Sequence, residues 1–396
     1  MAHVGYREAS AGPGFWAAVF GLGVLVLAGL GSAWYMEHHG HIVTGMTNRI
    51  VWGMPHVFAI FLIVGASGVL NVASLASVFG KMPYKPKARL SGLLAIAMLM
   101  SGLIVLVLDL GRPDRLTVAM TSYNFRSIFA WNIFLYTGFL VIVGAYLVVQ
   151  MTRRWQGWTG AVGVTAFLWR LILTTGTGSI FGWLVAREAY NAAVMAPLFI
   201  AMSLNIGLAV FILVRMSVAA GETHDLTDAL LERMARLLGI FIAAVLYFTA
   251  VQHLTNLYSA SRIGVERFLL VDGGIYPMLF WGVQIVLGSL VPLAIVFSPR
   301  TARSHPMIAL AAVLVMIGGL AQLYVIIIGG QAYPLQLFPG MEVSSSYHDG
   351  VVARYVPSLP EFGLGLGGLA LSFLITFIGV RVLKILPVNV GASAGA

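Results

Sequence analysis

His56 stands at the start of an apolar stretch, Trp52-Gly-Met-Pro-His56. An imidazole in that position can give or take a proton near neutral pH. Helical spacing places Ser67 and Asn71 on its stripe, 11 and 15 residues further on, a rotation of about 20° and 60°. A later stretch ends Asp109-Leu-Gly-Arg112-Pro-Asp114-Arg115. A carboxylate and two guanidinium groups at a helix exit form either a salt-bridged stop, marked by Gly111 and Pro113, or a proton relay through Asp109. Asn124-Phe-Arg-Ser127 and Trp131-Asn132 follow, and Arg170 lies inside a further stretch that ends Thr174-Thr-Gly-Thr177-Gly-Ser179. That Gly and Ser/Thr run reads as a broken helix end, and Arg170 needs a carboxylate partner, with Asp109 in reach, or must snorkel. His253 and Asn256 share a helix face three residues apart. These groups gather at one end of their stretches, as a half-buried site would require. Taken singly, each also fits a hydrogen-bonded helix interface.

The elements that carry them are membrane spans. The chain of 396 residues is 59% hydrophobic and 9% charged, against about 25% charged in soluble domains. Ten stretches reach the length of about 20 residues that a bilayer demands: roughly 15–36, 53–80, 90–110, 128–151, 158–180, 191–216, 235–258, 276–297, 306–329 and 362–385. Hydrocarbon offers no partner for free backbone groups, so they must be helices. The expected fold is an all-α integral membrane protein of ten transmembrane helices, with spans 2–5 and 6–9 as two four-helix bundles and spans 1 and 10 flanking. Residues 1–396 form a single membrane domain, with bundles at 53–180 and 191–329 and a long outer loop at 330–361.

Basic residues orient the chain. The termini and the loops after spans 2, 4, 6 and 8 carry 14 of the 23 Lys and Arg, the opposite loops 8, and Arg170 lies within span 5. The bias puts both termini in the cytoplasm of a bacterial or archaeal cell, as a multi-pass protein of the inner membrane. The site residues then face outside. No signal peptide is read at the N-terminus, which lacks a basic leader. The net charge of +9 is spread over short loops and suits anionic lipid rather than nucleic acid.

The absence of cysteine excludes disulfides, thiolate zinc and iron–sulfur clusters held by this chain. A transmembrane haem relay needs histidine pairs, and His56 and His253 sit at the same end. His38, His39 and His41 form a weak metal-binding pattern. No phosphate loop or nucleophile elbow is present. Two readings compete with a redox role: a secondary transporter or proton-translocating bundle, and a purely structural anchor.

The chain resembles the NrfD/polysulfide reductase family of membrane subunits, in its ten-span, DsrP-like form and more distantly HybB. The resemblance rests on Leu108-Asp109-Leu-Gly-Arg112-Pro113 with Asn124-Phe-Arg-Ser127 and Trp131, on Gly-Met-Pro-His56-Val-Phe, and on Thr177-Gly-Ser179. It implies a quinone-binding subunit, taking menaquinone or ubiquinone, with no haem or iron–sulfur cluster of its own. Electrons would pass between quinone and a ferredoxin-like iron–sulfur subunit docked on the outer face, in sulfur metabolism, with a cytochrome or haem membrane subunit as a further partner. The catalytic residues so implied are His56, Asp109 and Arg112. The implied quinone contacts are His56, Asn124, Ser127, Trp131, Thr177 and Ser179. A tyrosine used by the family near the end of the bundle's fourth span has no counterpart in Thr174–Ser179.

Overall fold

A computed structural model describes residues 5–219, 228–335 and 350–388. Among the described residues, ten helices are long and apolar enough to cross a membrane: α1 (Pro13–His39), α2 (Met54–Ser77), α3 (Met82–Leu108), α4 (Ile128–Met151), α5 (Arg153–Gly182), α6 (Met195–Val218), α7 (Ala229–Tyr258), α8 (Ile275–Phe297), α9 (His305–Ala332) and α10 (Leu359–Val382). They correspond to the ten expected spans. Prolines in the first turns of α1, α2, α9 and α10 occupy positions whose N–H would be unpaired anyway.

Helices α2 to α5 form one group and α6 to α9 another, with apolar side chains of both in one continuous core, and α1 lies outermost against α10. Helix α2 is buried along its length and stands between the two groups. It crosses α6 at Gly68 and Gly207, where a Cβ on Gly207 would collide with the carbonyl carbon of Gly68. Without a hydrophobic drive between helices in lipid, such backbone proximity supplies the dispersion contact that holds them. Gly207→Val is therefore expected to force α2 and α6 apart, at about 3 kcal/mol. A fall in the melting temperature of the detergent-solubilised chain checks this. An unchanged value would show that the close crossing does not hold the two helices together.

Strand β1 (Tyr6–Arg7) pairs antiparallel with β2 (Leu386–Pro387). The two terminal segments thus meet at the end of the molecule opposite His56. Two expectations are corrected. The chain does not leave helix at 330, because α9 runs through a π-helical segment, Val325–Gly329, to Ala332. The remainder of the expected 330–361 loop lies partly outside the described residues, and its last part is already the first turn of α10. The end of α5 is not broken either: the helix continues to Gly182. Its glycines serve close packing, since a Cβ on Gly178 would meet the Met195 carbonyl oxygen at 2.8 Å.

Candidate functional site

The first turn of α2 holds His56, and the residue that ends α3 is Asp109. The chain reverses after Asp109 at Gly111, whose φ of 67° suits a residue without Cβ. His56 Nδ1 lies 2.8 Å from Asp109 Oδ2, with the carboxylate side chain fully buried and the imidazole 19% exposed. The contact is close but off the hydrogen-bonding direction, and neither carboxylate oxygen receives an aligned bond among the described residues. A buried carboxylate left without a donor is costly, so its natural companion is the imidazole beside it. The pair can hold and pass on a proton.

The imidazole opens into a cavity of about 490 Å³ between α2, α3, α4 and α5, partly covered by the short helix Leu116–Thr121. The walls are mostly apolar, with Leu106, Val107, Met120 and Ile180 prominent. His56, Asn132, Tyr136 and Thr137 interrupt them, and the Thr137 hydroxyl is spent on the Ile133 carbonyl. Asn132 donates through Nδ2 to the Ile128 and Gly176 carbonyls at 2.9 and 3.2 Å. Its Oδ1 is buried without a partner among the described residues. Tyr136 stands one turn further along α4, near Thr177, whose hydroxyl donates to the Leu173 carbonyl at 3.0 Å. Trp52 closes the rim, its ring 6.3 Å from His56 and in edge contact with Phe181.

A hydrogen-bonded frame fixes the segment that leads into α2. Glu361, fully buried at the start of α10, accepts from the N–H groups of Gly45 (2.8 Å) and Ser358 (2.7 Å). The Tyr355 hydroxyl donates to Glu361 Oε1 at 2.6 Å and accepts from the Met54 N–H at 2.6 Å, two residues before His56. Gln331, at the end of α9, accepts from the N–H groups of Val51 and Trp52 at 2.9 and 3.1 Å and donates to the Trp52 carbonyl at 3.0 Å. Sequence reasoning missed Tyr136, Gln331, Tyr355 and Glu361. Signals existed for two of them: Asn132 and Tyr136 are spaced i, i+4, and Ser358-Leu-Pro-Glu361 before an apolar run is a helix-start pattern.

The structure brings His56 and Asp109 together and places Thr177 behind Tyr136. It separates the other expected residues from the cavity. Arg112 pairs with Asp114, at 3.0 and 2.9 Å, on the exposed turn, because the reversal at Gly111 turns it away from Asp109. Asn124 accepts from the Arg126 N–H at 3.0 Å, and Ser127 sits at the start of α4. Trp131 donates to the Phe125 carbonyl at 2.9 Å on the outer surface of α4. Ser179 is buried in the helix packing. Arg170 does not reach Asp109: it donates to Asn71 Oδ1 at 3.0 Å, deep in the bundle. Ser67 donates to the Arg170 carbonyl at 3.2 Å, and Thr174 to Ser67. The expected stripe is thus divided between two networks.

His253 belongs to the second group of helices. Its Nδ1 lies 2.6 Å from Glu266 Oε2, and Asn256 Nδ2 donates to Glu266 Oε1 at 2.7 Å. Gln252, Gln284 and Gln322 line a small cavity of about 30 Å³ beside them. His38 stacks on Trp34, and His39 lies tilted against Tyr35. Among the described residues, no group of three or more His, Asp or Glu converges on a metal position.

The fold and site define a multi-pass membrane protein with an apolar cleft between its helices and a close His56–Asp109 pair on the cleft wall. Residues 42–334 match the polysulphide reductase NrfD family, and the chain belongs to it. It is similar to the Hdr-like menaquinol oxidoreductase integral membrane subunit of Archaeoglobus fulgidus, 28% identical over 92% of this chain and 93% of that one. A putative dimethyl sulfoxide reductase membrane subunit of Halobacterium salinarum is 28% identical over 92% and 90%. A selenate reductase subunit of Mesobacillus selenatarsenatis is 21% identical over 92% and 93%. The first two relatives are named as membrane subunits of an oxidoreductase and a reductase, which fits a quinone-interacting membrane subunit.

Proposed function

We propose that the chain binds a quinone head group in the cavity between α2 and α5 and exchanges its protons through His56. The observation that carries this reading is a 490 Å³ apolar cleft with His56, backed by Asp109 at 2.8 Å, on one wall and Asn132 and Tyr136 on another. The residues fit the group: a flat ring with two polar edges needs apolar walls, a few placed polar contacts and a route for its tail. A bound quinone supplies two-electron, two-proton redox chemistry. His56 holds or moves a proton at one ring oxygen, and Asp109 orients the imidazole and balances its charge. Trp52 keeps water from the rim. The similarity to a menaquinol oxidoreductase subunit supports menaquinone over ubiquinone.

The Lys and Arg bias supports an inner-membrane location with the His56 end facing outside. The long loops at that end then form the docking surface for a ferredoxin-like iron–sulfur subunit, a reading supported by the lack of cysteine. The dimethyl sulfoxide and selenate reductases among the relatives support a place in reductive metabolism, that of sulfur included. The central test is extraction of the purified chain with organic solvent and chromatography of the extract. The expected result is co-purified quinone, displaced by a quinone analogue. Repeated extraction without quinone, together with no analogue binding, leaves a structural anchor instead.

The buried His253–Glu266 cluster favours a second activity, proton movement through the second group of helices. Ionisable groups at membrane depth mark such relays. Turnover of the complete complex in proteoliposomes holding a pH dye is expected to acidify one side by more than the quinone chemistry releases. Glu266→Gln is expected to abolish that excess, and an identical trace in the variant rejects it.

A further inference from the structure

A second large cavity, about 500 Å³, lies at the opposite end of the first bundle. It is bounded by the last turns of α2 and α4, the first turns of α3 and α5, and Tyr6 of the N-terminal strand. Arg89, Gln150 and Tyr146 line it and are all more than nine-tenths buried, at 7%, 8% and 1% exposure. Arg89 spends its two terminal nitrogens on the carbonyls of Lys384 and Gln150, and its guanidinium carbon lies 3.5 Å from the Tyr6 ring centroid. Its Nε has no partner among the described residues, nor does Gln150 Nε2. The Tyr146 hydroxyl lies near Ser77 but makes no aligned bond.

All three unpartnered atoms can donate. Lys85 adds a second positive charge, and no carboxylate among the described residues lines the cavity. Glu8, the acidic residue closest to Tyr6 in sequence, lies 3.7 Å from Arg381 instead. Leaving buried donors unmet is costly, and among the described residues the Arg89 charge meets only two carbonyls and the Tyr6 ring, so an anion in the cavity supplies what the protein does not. A guanidinium, an ammonium and an amide gathered around one cavity suit phosphate oxygens. The cavity sits at the ends of four spans, the depth at which lipid headgroups lie, and most of its wall is apolar.

We infer that this cavity binds the phosphate of one anionic phospholipid, held by Arg89, Lys85, Gln150 and Tyr146, with its chains along the bundle. The site owes nothing to the quinone reading. Its bound lipid would tie α2, α3, α4 and α5 together at the end away from His56.

The test is native mass spectrometry of the full chain in mild detergent, titrated separately with phosphatidylglycerol, phosphatidylcholine and inorganic phosphate. The expected result is one phosphatidylglycerol retained at least about tenfold more tightly than phosphatidylcholine. Lys85→Gln and Gln150→Leu, which leave the Arg89 anchoring bonds in place or nearly so, should each reduce retention several-fold, and Arg89→Gln should reduce it further. Unchanged melting temperatures of the first two variants show that the fold survives. Equal retention of the two lipids, or undiminished phosphatidylglycerol in both variants, overturns the proposal. Inorganic phosphate bound as tightly as phosphatidylglycerol would mean that a free phosphate, not a lipid, is the ligand. Occupancy by quinone in place of phospholipid overturns it too.

Discussion

His56→Ala is expected to lower quinol-dependent turnover of the complete complex by about 10²- to 10⁴-fold, the range for loss of a positioned proton-transfer group. Assembly should persist. The imidazole is 19% exposed on the cavity wall, and its close polar contact is Asp109, so its removal enlarges the cleft rather than opening the core. A quinone analogue should still bind, more weakly, since most of the cavity wall is apolar and untouched. The split matters: catalysis falls far more than binding. Turnover within a few-fold of the wild-type value would take His56 out of the chemistry, whatever the analogue does.

Asp109→Asn provides the companion measurement. Asparagine keeps the size and the close contact with the imidazole, but it withdraws the negative charge that faces His56 at 2.8 Å. A reduction of about tenfold or more in turnover is expected, with the melting temperature held or raised, because burying a neutral amide costs less than burying a carboxylate. A large fall in stability with normal turnover would make Asp109 a structural cap only. Arg112→Gln, by contrast, should leave both quantities close to wild type: its partner is Asp114 on an exposed turn, and surface pairs of this kind contribute little.

The ten spans are legible because hydrocarbon imposes one rule on every residue of a span, and a run of apolar side chains meets it without reference to any other part of the chain. The His56–Asp109 pair is legible only as two separate ionisable groups at the same end. Their meeting depends on how α2 and α3 cross, which composition does not encode. Arg112 and Arg170 show the limit from the other side. Charge complementarity names Asp109 as a partner for each, yet the reversal at Gly111 takes Arg112 to Asp114, and Arg170 lies too deep and finds Asn71. The motif Asn124-Phe-Arg-Ser127 suggests a part of the pocket, but its polar atoms serve the turn that starts α4. Local sequence encodes that turn, whereas the side of α4 that faces the cavity is set by packing against α5. The frame around Met54 is invisible for a plainer reason: Glu361 and Tyr355 lie some 300 residues away in the chain, and only folding makes them neighbours of His56.

That frame predicts a second large effect. Glu361→Ala is expected to destabilise the chain by about 3–5 kcal/mol, the cost of breaking a buried charged centre, and to weaken quinone binding at the same time. Three donors, the N–H groups of Gly45 and Ser358 and the Tyr355 hydroxyl, lose their acceptor; the two N–H groups are half-buried and the hydroxyl is buried, where an unmet donor is most costly. Tyr355 then no longer fixes the Met54 N–H, and the first turn of α2 carries His56 with it. Tyr355→Phe removes the same link from the middle and should cost about 1–3 kcal/mol. Burial first, and then the bond to the Glu361 carboxylate, raise the Tyr355 hydroxyl above the ordinary phenol value of 10.0. The folded state therefore binds the phenolic proton more tightly than the unfolded one, and its contribution is present below about pH 10 and declines as the pH rises above it. Melting curves at rising pH should show wild type losing stability above about pH 10 faster than Tyr355→Phe. Parallel curves, or a Tyr355→Phe variant that melts and binds quinone analogue like the wild type, would show that the site stands without this support.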